Sequence, residues 1–312
     1  MKNILVTGGS GFIGSNLAFE LESRYPNAAI TVIDDFRSSS FKNLVGFRGD
    51  VLGFNLAEKD SLNILYSKPF DVIFHLASIT DTTVLDERKM MFDNVEGFRN
   101  ILELAVDKKA DLVYASSAAV YGSQNTPMKE SDAGHPNNIY GFSKWIMENL
   151  AKTYEGKLKV VGLRYFNVFG PRESFKGAAA SMIYQLCQQM LAGKRPRVFK
   201  YGEQQRDFIY VKDVVEATIQ ARSAKQNTAV NIGTGKATSF NEVIASLNEV
   251  LGTHLAPEYF DNPYDFYQNY TQADISHTQK AIGFQCRFST HEGILDYVRN
   301  YLLPSAQPFV QH

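Results

Sequence analysis

Met1-Lys-Asn-Ile-Leu-Val-Thr-Gly-Gly-Ser-Gly-Phe-Ile-Gly14 reads as a short buried strand, a glycine turn and the start of a helix. Ile4 to Thr7 is apolar and too short to be a helix. Gly8, Gly11 and Gly14 follow at three-residue spacing. In that order one glycine permits a tight turn, a second lets a phosphate approach bare backbone, and a third lets the helix press on the sheet. The first helical residues, Phe12, Ile13 and Gly14, then point their amides at the phosphates of a dinucleotide. The spacing is Gly-x-x-Gly-x-x-Gly rather than Gly-x-Gly-x-x-Gly, so the turn alone is also compatible with an ordinary strand-to-helix connection.

Two features downstream strengthen the dinucleotide reading. Ala29 to Asp34 is a second apolar strand that ends in a carboxylate, twenty residues after Gly14. An acid at that distance binds the adenosine ribose hydroxyls. Asp35 and Arg37 follow at once. Asp34 points to NAD, whereas Arg37 offers a cation to a 2′-phosphate and admits NADP, unless it is simply a solvated loop charge. The expectation is NADP, with NAD as the alternative.

The chain has 312 residues, 44% of them hydrophobic and 21% charged, with a net charge of −1. That is ordinary for a globular enzyme and gives no basic surface for nucleic acid. Cys187 and Cys286 stand far apart and suggest neither a metal site nor a disulfide framework. The first strand begins without a signal peptide, and no apolar run approaches the length of a membrane span. The expectations are a cytoplasmic protein with no membrane partner, and a homo-oligomer.

Outward from the glycine turn, Gly11 to Arg24 is an amphipathic helix stopped by Pro26. Leu44 to Arg48 reads as a third strand, followed by Asp50-Val51, where a carboxylate would reach an adenine amino group or merely make a turn. Glu58 to Tyr66 is a short helix. Asp71 to Ala77 is the fourth strand, ending in Leu76-Ala77-Ser78, small residues where backbone passes close to a ligand. His75 reads as a packed strand histidine rather than a catalyst. Asp86 to Lys108 contains a long helix that bears Asn94. Asp111 to Ser117 is the fifth strand, Tyr140 to Tyr154 a helix, and Leu158 to Arg164 the sixth strand. Strands alternating with helices require a doubly wound α/β sheet with parallel strands.

The pattern loosens after Gly170. Ser181 to Ala192 reads as a helix, and Val198 to Tyr201 and Asp207 to Val211 as short strands. Ser239-x-x-Glu242 and Ser289-x-x-Glu292 are capping boxes that open the last two long helices. The expected division is a dinucleotide-binding domain over 1–170 and a smaller α/β substrate lobe over 171–312, with parts of 211–235 packing back on the first domain.

The chemistry gathers at the strand ends. Ser117 closes the fifth strand, where the ligand crevice of such sheets lies. Tyr140 and Lys144 are four residues apart on a helix and share a face. Ser117 can hold a substrate hydroxyl and Tyr140 can take its proton as hydride leaves carbon. A Lys144 ammonium and a cationic nicotinamide would bring the phenol towards neutral pH. A lone Tyr-x-x-x-Lys is common by chance, but here it stands in register with the glycine turn, the ribose acid and Ser117.

Thr7-Gly-Gly-Ser-Gly-Phe-Ile-Gly14, Ser116-Ser-Ala-Ala-Val-Tyr-Gly122, Tyr140-Gly-Phe-Ser-Lys144 and Arg164-Tyr-Phe-Asn-Val-Phe-Gly-Pro-Arg172 together resemble the extended short-chain dehydrogenase/reductases that act on nucleotide sugars. The resemblance runs over essentially the whole chain. It implies an epimerase that oxidises a hydroxyl-bearing carbon to a ketone with bound NADP or NAD and returns hydride to the opposite face. Ser78 to Thr83, Tyr165 to Lys176, Arg206 to Tyr210, Asn231 to Gly235 and Tyr267 to Asp274 resemble the branch that inverts carbon 6 of the sugar. By the same resemblance Tyr140 and Lys176 handle protons, and Asn94, Lys144 and Val168 hold the cofactor. Thr80, Ser117, Asn167, Lys176, Ala178, Gln185, Phe199, Arg206 and Tyr267 face the substrate. The family's usual Gly-His-Lys-Gly-Ser is Ser174-Phe-Lys-Gly-Ala178 here, so Ala178 supplies no hydroxyl. Phe199-Lys-Tyr-Gly202 lacks the acid often found there. Ala118 and Ala119 stand where a 4,6-dehydratase carries an Asp-Glu pair, which argues against dehydration. A UDP-hexose 4-epimerase needs only Ser117, Tyr140 and Lys144 and is the rival enzyme. A non-catalytic dinucleotide sensor is the rival of another class, and such proteins typically lose the tyrosine and lysine kept here.

Overall fold

Ile4 to Thr7 lies in the middle of the main sheet. In the computed structural model, which describes residues 1–80, 86–124, 126–199, 201–261 and 270–303, seven strands run parallel. They are β1 (Asn3–Thr7), β2 (Ala29–Ile33), β3 (Asp50–Leu52), β4 (Val72–His75), β5 (Asp111–Ser117), β6 (Val160–Tyr165) and β7 (Thr228–Ile232). Their order across the sheet is β3-β2-β1-β4-β5-β6-β7. The order reverses between β1 and β4, which opens a crevice at their carboxyl ends.

Eight helices are long enough to number: α1 (Phe12–Arg24), α2 (Gly97–Lys108), α3 (Ile139–Lys152), α4 (Met182–Leu191), α5 (Val211–Gln220), α6 (Phe240–Leu251), α7 (Ser276–Ile282) and α8 (Thr290–Tyr297). Successive strand residues alternate between the two faces of the sheet. Ile4 and Val6 pack with Leu17 and Leu21 of α1 and Val214 of α5. Leu5 packs on the other face with Phe98 and Ile101 of α2 and Met147 of α3. Helices therefore cover both faces, and this is why Ile4–Val6, Val72–Phe74 and Val160–Leu163 carry no alternating polar residues. Both capping boxes form, Ser239 with Glu242 and Ser289 with Glu292.

Two expectations change. Leu44 to Arg48 is not a strand. It follows a 3₁₀ turn at Phe41–Leu44, and the third strand is Asp50–Leu52. The helix before β5 is not uniform either. Glu87–Met91 runs into a π-helical turn at Phe92–Glu96 before α2 begins. The main sheet continues beyond residue 170, where Thr228–Ile232 returns to pair with β6 and α5 packs on α1. The remaining ladders are small. Asn167–Phe169 pairs with Phe208–Tyr210, Gln205–Arg206 with Thr238–Ser239, and Arg197–Phe199 with Glu258–Phe260. Among the described residues no helix is long and apolar enough to cross a membrane.

Candidate active site

The glycine turn has the geometry that its spacing implies. Gly8 has φ +68°, and a Cβ there would lie 2.5 Å from the Ala77 amide nitrogen. A Cβ on Gly14 would lie 2.0 Å from the Gly8 carbonyl oxygen. Gly11 caps α1 in extended conformation with no side-chain cap, which leaves the first-turn amides facing the crevice. The Asp34 carboxylate accepts from the Ser10 amide at 3.0 Å, the Phe36 amide at 2.9 Å and the Ser39 hydroxyl at 2.9 Å. It therefore ties the glycine turn to the end of β2.

A cavity of about 730 Å³ runs from this turn past the ends of β4 and β5. Gly8, Gly11, Phe12, Ile13, Gly14, Asp34, Asp35, Arg37, Leu76, Ala77, Ser78, Asn94, Tyr140, Lys144 and Val168, which the sequence reading gives to the cofactor, all line it. Asp50 and Val51 do not. They sit on the edge strand β3, where Asp50 pairs with Lys68 at 2.7 Å and Val51 is 44% exposed. The chain reaches the cavity only after Gly53, through Phe54, Asn55 and Leu56. Asn94 lines the cavity, yet its amide is already engaged. It accepts from the Ile79 amide at 2.7 Å and donates to the Ile79 carbonyl and the Ser143 hydroxyl. Asn94 thus fastens the loop after β4 to α3.

Ser117, Tyr140 and Lys144 meet at the end of β5. The Ser117 side chain lies beside the Tyr140 phenol, and both line the cavity. The Lys144 ammonium lies 5.8 Å from the Tyr140 ring centre and donates to the Ala115 carbonyl at 2.8 Å. Lys144 is 1% exposed, and burial pushes its pKa down to about 7, with Glu148 one turn along α3 pulling it back up. Burial also pushes the Tyr140 phenol up, and the neighbouring Ser117 side chain offsets part of this. The protein's own groups therefore leave the phenol above its ordinary value. A half-charged Lys144 alone does not bring it to neutrality, so the positive charge of an oxidised nicotinamide carries that part of the expectation.

Behind these residues lies a buried polar lattice. Arg164 forms two hydrogen bonds to Glu148, at 2.9 and 2.7 Å, and a third to the Tyr121 hydroxyl. Ser116 donates to Glu148 at 2.6 Å. The lattice joins β5, β6 and α3, and so holds the serine, tyrosine and lysine in register. His75 is a packed histidine as expected. Its Nδ1 bonds to the Thr7 hydroxyl at 2.9 Å, its ring stacks on Phe98, and burial holds its pKa at about 3.

Lys176 comes to the same cavity from the opposite segment. It sits in the turn Ser174–Ala179, with its ammonium 5.7 Å from the Phe12 ring centre. Burial lowers its pKa, and Glu173 counteracts this. Glu173 is itself buried and anchors the turn, accepting from the Gly170 amide, the Ser181 amide and the Ser181 hydroxyl. Thr80 and Ser117 also line the cavity. Asn167, Gln185, Phe199 and Arg206 lie outside its lining. Asn167 donates to Thr271 at 3.2 Å, Gln185 to the Ala180 carbonyl, Phe199 rests against Phe260, and Arg206 donates to the Gln205 carbonyl. The Ala178 side chain and Tyr267 lie outside the described residues. Lys89, Asp93 and Asn55 are part of the wall and were not legible as site residues, because nothing local to them marks a ligand. Among the described residues no cluster of acids, histidines or cysteines could hold a metal.

Comparison with known proteins agrees with this geometry. A family profile described as NAD dependent epimerase/dehydratase family matches residues 4–233. The chain is similar to the ADP-L-glycero-D-manno-heptose-6-epimerase of Alkalilimnicola ehrlichii, 36% identical with 96% of each chain covered. In structure it resembles the Helicobacter pylori ADP-L-glycero-D-manno-heptose-6-epimerase, at 40% identity and a TM-score of 0.91 over 96% of this chain and 95% of that one. It also resembles the UDP-glucose 4-epimerase of Thermotoga maritima, at 28% identity and a TM-score of 0.88 over 96% of this chain and all of that one.

Proposed function

The chain belongs to the NAD dependent epimerase/dehydratase family, and from that premise we propose that it converts ADP-D-glycero-D-manno-heptose into ADP-L-glycero-D-manno-heptose by inverting carbon 6. The observation that carries the proposal is that two proton-handling groups on separate segments, Tyr140 and Lys176, line one cavity with the glycine turn. The reaction needs a nicotinamide cofactor, which when bound supplies a reversible acceptor for the hydride of the hydroxyl-bearing carbon. Ser117 holds the substrate hydroxyl, and Tyr140 removes its proton as the carbon is oxidised to a ketone. Lys144 fixes the Tyr140 geometry and supplies positive charge beside the phenolate. The flat ketone turns over in the cavity. Lys176 then delivers the proton from the second side, and the lowering of its pKa by burial makes it a readier proton donor than an exposed lysine.

Arg206 and Asn167 belong to the proposal as holders of the nucleotide part of the substrate, with the guanidinium fork suited to phosphate oxygens. The ladder of Asn167–Phe169 with Phe208–Tyr210 places Asn167 beside the strand that follows Arg206. NADP, with NAD as the alternative, is admitted by Arg37 and Lys89, two cations on the wall at the Asp34 end that a 2′-phosphate could recruit. A cytoplasmic enzyme that self-associates and supplies heptose for the lipopolysaccharide inner core completes the reading.

Kinetics on ADP-D-glycero-D-manno-heptose test it. Tyr140→Phe and Lys176→Met should each lower epimerisation by about 10²- to 10⁴-fold, while substrate and cofactor still bind. Near-normal turnover in Lys176→Met would sink the two-base assignment. Robust turnover of UDP-glucose with none of the ADP-heptose would make the enzyme a 4-epimerase instead.

A further inference from the structure

Arg37 does not stand alone at the end of β2. Its guanidinium pairs with both Asp35 and Asp93. Asp93 also takes the Lys89 ammonium at 3.0 Å and the Asn55 side-chain amide at 3.0 Å. Asp93 is the buried centre of this group. Its side chain is 4% exposed, against 36% for Arg37 and 52% for Lys89. The asymmetry has a structural origin. Asp93 sits in the π-helical turn Phe92–Glu96, where the widened backbone turns both Asp93 and its neighbour Asn94 towards the cavity. Asn94 is fastened on two sides, so the turn is rigid. Burial opposes charge on Asp93, but the bonds from Arg37, Lys89 and Asn55 outweigh it and keep the carboxyl ionised.

We propose that Asp93 sets the discrimination between NADP and NAD, by competing with a cofactor 2′-phosphate for Arg37 and Lys89. The inference rests on the reading that a nicotinamide dinucleotide binds with its adenosine ribose at Asp34. A ribose with free hydroxyls needs only an acceptor there, which Asp34 provides. A 2′-phosphate needs cations. The two on this wall are held by a carboxylate that cannot move, and three carboxylates, Asp34, Asp35 and Asp93, face two cations. A phosphate dianion therefore meets a site of net negative charge and must draw both exposed cations off their buried partner. Neutralising Asp93 leaves the Asn55 bond a carbonyl acceptor, releases Lys89, leaves Arg37 with Asp35 alone, and removes one of the repelling charges.

Titration calorimetry with NADP and NAD separately, on protein stripped of retained dinucleotide, measures the effect. Asp93→Asn should bind NADP about tenfold more tightly than the unmodified protein, the worth of one charge-assisted hydrogen bond regained. Its affinity for NAD should change less than about twofold, which also reports that the variant is folded. Arg37→Ala in the Asp93→Asn background should erase the gain. Asp93→Ser removes the same carboxylate with a smaller side chain and serves if the asparagine variant does not fold. Unchanged or weaker NADP binding alongside intact NAD binding would overturn the inference and make Asp93 the support that aims Arg37. Failure of the unmodified protein to bind either dinucleotide would instead overturn the cofactor reading on which the inference rests.

Discussion

Replacing Lys144 with methionine should make this protein harder to unfold while removing its activity. Lys144 is 1% exposed, and burial lowers its pKa from 10.5 to about 7. Each tenfold change in proton affinity is about 1.4 kcal/mol, so at pH 7 the buried amine destabilises the fold by about 4 kcal/mol relative to the unfolded chain. Methionine has similar length and no charge. The substitution also removes the 2.8 Å bond to the Ala115 carbonyl, which takes back about 1–2 kcal/mol. Glu148 is not orphaned, because Arg164 and Ser116 still satisfy it. The net expectation is a gain of about 2–3 kcal/mol at pH 7.

The sign depends on pH in a defined way. Between about pH 7 and 10.5 the unfolded chain binds the Lys144 proton and the folded chain does not. Wild-type stability therefore rises through that window, and the advantage of Lys144→Met shrinks across it. Below about pH 7 both states are protonated and the advantage is full. Urea unfolding followed by Trp145, the single tryptophan of the chain, at pH 6, 7.5 and 9 would measure this. Taking the difference between the two proteins cancels the titration of their other groups. A variant less stable than wild type at pH 6, or a gap that does not narrow by pH 9, would refute the claim that Lys144 is held against its own desolvation. Such a buried amine lowers stability where the chemistry needs a cation beside Tyr140.

Two further outcomes follow from the site. Gly14→Ala drives a Cβ to 2.0 Å from the Gly8 carbonyl, which is backbone and cannot yield. Dinucleotide affinity should fall at least about tenfold and the melting temperature should drop, with about 1–3 kcal/mol of strain; unaltered binding by calorimetry would mean that the turn does not contact the cofactor. Arg206→Lys should raise KM for the nucleotide sugar by roughly tenfold, the loss of a bidentate contact, with cofactor affinity intact. Loss of folding in the same variant, seen by circular dichroism, would assign Arg206 to structure instead.

Local features were legible in the sequence because their physics is local. An apolar run before Gly8, Gly11 and Gly14, with an acid closing the next strand, specifies a turn that no side chain could occupy and a carboxylate beside it. Tyr140 and Lys144 share a helix face by spacing alone, and Ser239 and Ser289 cap their helices through residues three positions away. The doubly wound sheet followed from strands that alternate with crossovers. What escaped the sequence depends on contacts between distant segments. Asp50 and Val51 stand in the sequence as candidate adenine contacts, and only the sheet order shows that they lie on an edge strand while Asn55 lines the cavity. Asn94 looked like a cofactor ligand, and only packing shows its amide engaged by Ile79 and Ser143. The group of Asp35, Arg37, Lys89 and Asp93 is spread over 59 positions of sequence and is assembled by one π-helical turn. Sequence by itself determined the backbone conformations and helix faces that short-range sterics and hydrogen bonds dictate. Only the tertiary structure decided which side chains are buried, which charges meet and which polar groups remain free for a ligand, because those depend on desolvation and on neighbours the chain reaches only by folding.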